Sequence, residues 1–396
     1  MHVTTPTLNW LDWIILLIYA IGMLLAGFYF SRENKNAEDY LLGGRNMKSW
    51  RVGLSLFATL FSAVSYLSMP GEMIKHGPMM WCMIVAIPLV YWVVSRFFIP
   101  YVMQHKISSA YELLESRLGR RNRILASIYF LLMRLVWMAV IIYLCAEKVI
   151  VPIVGWSAGT ALWVSVAIGI LTVVYTSAGG LRGVVFTDVL QAFILFGGGI
   201  LTILVIIHRL GSVSAIIPAE WPAHWDGWVF FDPNARVSFL TVVLAVFGWN
   251  VCTAGSDQMA IQRYLATQDV RAARRMYLSS LGSIVFVYFL LATLGLAIMA
   301  FFQQNPTLIP GGATLSDSAD LLFPVFIVIG LPAGLSGLVL AGLLAAAMSS
   351  LSSGINSSCL VIIQDFIIPI YQKPLAEKKQ LQLAKFISVG IGFLIV

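Results

Sequence analysis

Hydrophobic residues along this chain are fused into blocks of roughly twenty, separated by short polar stretches rich in Gly, Pro, Arg and Lys. The blocks include Trp10–Phe30, Met79–Met103, Ile124–Cys145, Ala158–Thr176, Val184–Ile207 and Tyr277–Phe302. Each is long enough to cross a ~30 Å hydrocarbon core as an α-helix. The pattern predicts nine complete spans and a tenth that the chain leaves unfinished at Val396. One block breaks the rule: residues 345–358 read AAAMSSLSSGINSS between GLVLAGLL and CLVII. At 100° per residue, Ala346, Ser349, Ser350, Ser353 and Ser357 share an arc of roughly 100°, with Ser352 and Asn356 at its edge. Such a stripe of hydroxyls suits a hard cation whose other oxygens come from a broken neighbouring helix. It equally suits a small-residue packing face whose hydroxyls bond back to their own helix.

Composition places the chain outside the soluble class. Of 396 residues, 59% are hydrophobic and 11% charged, against about half and a quarter in soluble domains. The formal charge of +7 reflects membrane topology and not nucleic-acid binding. With the N-terminus outside and spans alternating, 19 of the 25 Lys and Arg fall in inward connections, among them Lys106, Arg263 and Lys373, and 4 fall outside. That is the positive-inside bias. The start MHVTTPTLNWLDW lacks a basic n-region and cleavage site, so the first block is expected to remain as a span. Cys82, Cys145, Cys252 and Cys359 have no metal-ligand spacing and read as buried thiols.

With the first span numbered zero, spans one to five form a unit and spans six onward begin another. An odd number of spans per unit inverts the second, giving an inverted repeat. Both units open with a polar interruption, SLFATLFSAVSYLSMPGE with its Pro-Gly break and FGWNVCTAGSDQ. Paired breaks of this kind point to a binding site near the bilayer midplane, although Gly, Pro and Ser also serve simply to kink and pack membrane helices. The expected divisions are an additional helix and loop over 1–50, a first repeat over 51–208, an outer loop over 209–236 and an incomplete second repeat over 237–396. Longer outer connections run over Arg209–Val237 and Gln303–Pro332, and HKISSAYELLESRLGRRNR reads as an inner surface helix opened by a Ser cap.

Charges inside the spans narrow the chemistry. Asp188, in GGLRGVVFTDVLQ, is either a functional carboxylate or a surface acid favoured by a helix start. Arg134 stands about ten residues into span three, and either binds an anionic solute or pairs with a carboxylate. Arg96 is placed to snorkel. Glu72 and Asp257, near helix ends, read as structural or gating groups.

In order, AEDYLLGGRNM, SLFATLFSAVSYLSMPGE, KISSAYELLESRLGRRNR, YTSAGGLRGVVFTDVLQ, DQMAIQRYLAT and AAAMSSLSSGINSS resemble the sodium/solute symporter family from end to end. The nearest pattern is that of bacterial sialic acid and monocarboxylate-type members. The resemblance implies an all-α membrane protein with a LeuT-type five-plus-five inverted repeat and one extra N-terminal helix, here ending within the second repeat. It implies a main sodium site from Ala58, Phe61, Ala346, Ser349 and Ser350. It also implies a second site from Asp188, Ser352 and Ser353, with Ser349 shared, and hence one or two sodium ions.

The substrate side departs from the sialic acid pattern. Trp137 stands where that branch has a carboxylate-binding arginine, Arg134 lies three residues earlier, and Leu60 replaces a threonine. The substrate-facing candidates are Ser62, Ser65, Met80, Arg134, Trp137, Trp249 and Asn250.

The function implied is sodium-coupled import of a small organic solute, such as a sugar, sialic acid or monocarboxylate, across a bacterial-type inner membrane. The protein is expected to be a monomer or weak oligomer in the bilayer, without nucleic-acid partners. The alternative is a transporter-like input domain of a signalling protein. A membrane enzyme is disfavoured because no HExxH, GxSxG or paired-aspartate arrangement falls within a span.

Overall fold

The computed structural model describes residues 8–105, 107–370 and 376–395. Lys106, Lys373 and Val396, which enter the topology count and the unfinished last span, lie outside the described residues. Among those described, all regular structure is helical. Seven helices are long and apolar enough to cross a membrane, and the bent pair Ser49–Leu60 and Ala63–His76 makes an eighth crossing.

One of the seven, Ala161–Leu210, has 50 residues. At 1.5 Å per residue it would measure about 75 Å, far beyond one bilayer. It divides at Gly180, whose φ of 58° and ψ of −162° leave helical space. Residues 161–179 are therefore span four and residues 181–210 span five. The other crossings are Trp10–Ser31 (span zero), the bent pair (span one), Pro78–Gln104 (span two), Arg120–Val154 (span three), Phe239–Ser256 (span six), Val270–Gln304 (span seven) and Leu335–Ile370 (span eight). Glu377–Ile395 forms a further helix in the place expected for span nine.

The serine-bearing helix is the centre of the molecule. In its most apolar window 89% of span eight is buried, against 22% for span zero and 6% for span six. Its polarity therefore faces protein and not lipid. Span zero is tied to the head of span eight by Asp12, whose Oδ1 accepts the amides of Gly334 and Gly337 at 2.8 Å each. A carboxylate there satisfies orphan N–H groups and complements the helix dipole.

Several local expectations change. Span one breaks at Phe61–Ser62, ahead of the Pro-Gly pair, and Pro70 lies inside the helix Ala63–His76. Span six runs unbroken through Trp249 and Asn250 and is interrupted only at Asp257, before the short helix Gln258–Leu265. The inner surface helix shrinks to Glu112–Leu118, because Gly119 at φ 81° separates it from span three. Cys145 and Cys359 are buried, but Cys252 is exposed and Cys82 intermediate.

Candidate sodium and solute sites

Breaking a helix frees its last carbonyls. At the end of Ser49–Leu60 the chain turns extended at Phe61 (φ −96°, ψ 117°), and Ser62 caps the next segment, whose axis is turned by 71°. The freed carbonyls meet span eight. Ser349 Oγ lies 2.8 Å from the Ala58 carbonyl and 3.2 Å from that of Ala346. Ser350 Oγ lies 3.1 Å from the Thr59 carbonyl and 3.4 Å from Ala346 O. Each hydroxyl has one proton for two carbonyls, so the cluster holds more lone pairs than protons. Beside it lies a cavity of about 10 Å³ lined by Phe57, Ala58, Phe61, Gln191, Ala346 and Ser349, among others. That is close to the space of one water-sized sphere, and its lining is mostly apolar, with Ser349 and Gln191 the polar side chains on it. The expected main-site residues Ala58, Phe61, Ala346 and Ser349 thus converge, with Ser350 bonded into the same cluster.

About one helical turn away lies a second layer, charged where the first is neutral. Asp188, fully buried, accepts from Ser55 Oγ at 2.6 Å and from Ser353 Oγ at 3.4 Å. The cation beside it is Arg263, also fully buried, whose Nη2 lies 3.7 Å from Asp188 Oδ2 and donates to Thr59 Oγ1 at 3.2 Å and to Ser353 Oγ. Asp188 Oδ1 and Arg263 Nε meet no partner in the structure. Of the expected second-site set, Asp188 and Ser353 come together, whereas Ser352 Oγ donates to the Ser349 carbonyl of its own helix at 3.0 Å. Arg263 is no inward-loop surface charge: the break at Asp257 swings its helix into the core. The sequence offered only a faint signal, an arginine in DQMAIQRY set apart from the Arg271, Arg274 and Arg275 that follow it.

Three comparisons bear on these layers. The profile described as Sodium:solute symporter family matches residues 40–396. The chain belongs to this family. The symporter is 30% identical to the sodium/sialic acid symporter SiaT of Proteus mirabilis over 97% of its own length and 76% of that protein's. It is 28% identical to the sodium-dependent multivitamin transporter of Oryctolagus cuniculus, of which it spans 62%. Among solved structures, a Na+-coupled sialic acid symporter in a substrate-bound outward-open state superposes at TM-score 0.84. Identity there is 28%, with 98% of this chain and 80% of that one covered. Mhp1, a nucleobase-cation-symport-1 family transporter in a closed conformation, shares the fold at TM-score 0.60 and 14% identity, over 90% of this chain and 72% of its own. The fold is LeuT-like, the coupling ion is sodium, and the protein is a transporter and not an enzyme.

The symporter's solute-side candidates are more scattered than its ion-side ones. Ser62 and Ser65 hydroxyls lie 3.1 Å apart at the break. Arg134 Nη2 donates to Asp257 Oδ2 at 2.6 Å, with the Phe130 ring 5.5 Å from its guanidinium carbon. Of the two readings of Arg134, pairing with a carboxylate is the one this conformation shows. Asn250 donates to the Val246 carbonyl at 2.8 Å and lines a small cavity with Leu56, Leu60 and Tyr277. Met80 is half-buried in the short helix Pro78–Ala86, while Trp137 and Trp249 are 52% and 74% exposed.

Proposed function

We propose that this symporter imports a small organic anion with sodium bound between the broken span one and span eight. The observation that carries the reading is the oxygen cluster of Ala58, Thr59, Ala346, Ser349 and Ser350, beside a small cavity that Ala58, Ala346 and Ser349 help to line. Sodium there would hold the two helices together, favouring the form that accepts solute, and its release would free them. A second ion is supported by the bare Oδ1 of Asp188. Its entry competes with the Arg263 guanidinium for the same carboxylate.

An anionic solute is favoured because Arg134 is the cation deepest in span three and already holds a carboxylate, that of Asp257. The SiaT and NanT relatives are sodium/sialic acid symporters and others are sodium-coupled monocarboxylate transporters, which agrees with a carboxylate substrate. The replacement of the expected arginine by Trp137 and of the threonine by Leu60 favours a solute smaller than sialic acid or one oriented differently. The paired interruptions at Phe61 and Asp257 support the division into repeats 51–208 and 237–396. The charge bias supports an N-terminus outside, in a bacterial-type inner membrane.

The test is thermal-shift and uptake measurement on the purified protein in sodium against choline, with sialic acids, short monocarboxylates, sugars and amino acids. A carboxylate should raise the melting temperature only when sodium is present, and Arg134→Gln should abolish that response while leaving stabilisation by sodium alone. Stabilisation by neutral sugars and by no carboxylate would refute the anionic reading. Stoichiometry is readable from accumulation. At 100 mV each sodium contributes ~2.3 kcal/mol electrically and a tenfold gradient about 1.4 more. Two ions then support roughly 10⁵-fold accumulation of a neutral solute and one only about 500-fold, with less for an anion.

A further inference from the structure

Away from the oxygen layers, a groove of about 620 Å³ runs along span zero, lined by its Gly22, Leu25, Phe28, Tyr29 and Arg32 and by Phe186 of span five, among others. Leu25, Phe28, Tyr29 and Phe186 are exposed, so the groove opens toward lipid. From Gly22 to Arg32 the helix rises about 15 Å, the depth of one leaflet of a ~30 Å core. The two ends differ. At Gly22 an added Cβ would meet nothing within 4 Å, whereas one on Gly27 would lie 2.6 Å from the Tyr175 carbonyl of span four. Gly27 is thus a packing glycine, and Gly22 leaves open room. At the other end Arg32 is exposed, and among the described residues no carboxylate lies within 4 Å of its guanidinium. Its neighbour Glu33 faces Arg182 instead, at 3.9 Å. A second cation stands close by, since Lys385 Nζ lies 3.5 Å from Ser31 Oγ. The walls between are apolar, with the Phe30 ring 5.1 Å from Tyr29 and 5.2 Å from Phe186.

We propose that this groove binds an anionic phospholipid, with one acyl tail along span zero from Leu25 to Gly22 and the headgroup phosphate on Arg32, beside Lys385. The trough supplies hydrocarbon contact over a single leaflet, and the unneutralised cations supply the charge complement at its mouth. A tail alone gives no preference among lipids, because any hydrocarbon fills the trough equally well. Selectivity therefore comes from Arg32. Under the proposed orientation this end faces inward, the side on which basic pockets between spans take anionic headgroups. Phe186 stands two residues before Asp188, so a bound lipid braces the start of span five against span zero.

The experiment places the purified full chain in phosphatidylcholine nanodiscs with a trace of phosphatidylglycerol or phosphatidylcholine that carries a photo-crosslinking diazirine in its tail. Labelled peptides are mapped by mass spectrometry for wild type, Gly22→Leu, Arg32→Gln and Arg51→Gln, the last an exposed arginine that does not line the groove. In wild type, phosphatidylglycerol should label residues 22–32 and Phe186 at least fivefold more than phosphatidylcholine. Arg32→Gln should remove about fivefold of that preference, the worth of one basic residue at an anionic surface. Gly22→Leu should reduce labelling by both lipids, and Arg51→Gln should change neither. Equal labelling of wild type by the two lipids would overturn the site, showing a face wetted by bulk lipid. Absence of label there in folded wild type would overturn it too, showing that protein covers the groove. Equal losses in Arg32→Gln and Arg51→Gln would reduce the effect to general surface charge. In detergent, phosphatidylglycerol should raise the melting temperature more than phosphatidylcholine does, and an equal rise with soluble glycerol phosphate would show an anion site without the lipid. All three variants should keep the wild-type sodium response, because none of these side chains reaches the oxygen layers, so the lipid site is tested separately from the sodium reading.

Discussion

Arg263 decides how the inner oxygen layer behaves. Its guanidinium and the Asp188 carboxylate are both at 0% exposure, 3.7 Å apart, with the hydroxyls of Ser55, Thr59 and Ser353 filling the space between. Removing one partner of a buried pair costs about 3–5 kcal/mol, because the remaining charge stays dehydrated. Arg263→Met should therefore lower the melting temperature strongly in choline buffer. Sodium should recover more of that loss than it gains for wild type, since Asp188 has lost the cation beside it. Thermal shift in sodium against choline reads this directly, and an equal sodium response in the two proteins would show that Asp188 offers no room for an ion. The hydroxyl face of span eight was legible in the sequence because a helix imposes a fixed period. The acid of span five was legible because a charge in a span is conspicuous. Arg263 was hidden, since a basic residue after a span reads as a topology marker until a helix break turns it inward.

At the scale of elements, helix existence follows from the apolar blocks, but the position of a break does not follow from composition. In span one, Pro70 forfeits one backbone bond inside Ala63–His76 and the helix continues around it. Gly71 is needed for contact: a Cβ there would lie 2.5 Å from Asp320 Oδ1. The actual break falls where two polar caps are available, Ser62 for the new helix and Ser349 and Ser350 for the carbonyls of the old one. The last two lie almost three hundred residues away, which no local reading supplies. Gly180 is the converse case, a break made by backbone alone. Its φ is 58°, and a Cβ would lie 2.6 Å from Tyr40 Cδ2 and 2.8 Å from the Tyr40 carbonyl. Forcing a side-chain-bearing residue into such a conformation costs on the order of 1–3 kcal/mol. Gly180→Ala should thus lower the melting temperature without changing sodium affinity at the remaining folded fraction. Wild-type stability in that variant would show that spans four and five are not held by this turn.

For the whole molecule, two polar latches lie at opposite ends of the bundle, and under the proposed orientation one faces each side of the membrane. On the outer side Arg236 Nη2 reaches Glu72 at 2.7 Å and Asp226 at 3.1 Å, while His224 and Trp225 both donate to the Ile74 carbonyl at 3.0 Å. The loop after span five thereby grips the outer half of the broken helix. On the inner side Asp365, 2% exposed, accepts from Arg123, from Ser109 Oγ at 2.8 Å and from Ser127 Oγ at 2.6 Å, joining the foot of span eight to span three. Alternating access requires one end to open while the other holds, so the two latches should bias the conformational equilibrium in opposite senses. Under the proposed function, sodium at the break favours the outward-facing form, and apparent affinity scales with the fraction of protein in the competent state. Asp365→Asn loosens the inner end and should weaken apparent sodium affinity, by tenfold or more because that pair is buried. Arg236→Gln loosens the outer end and should strengthen it, but only by about two- to fivefold because Arg236 is 45% exposed and surface pairs are weak. Sodium titrations of the two variants in one lipid environment make the comparison. Mere structural damage would weaken binding in both, so a shift in the same direction would show that these contacts hold the fold without gating it.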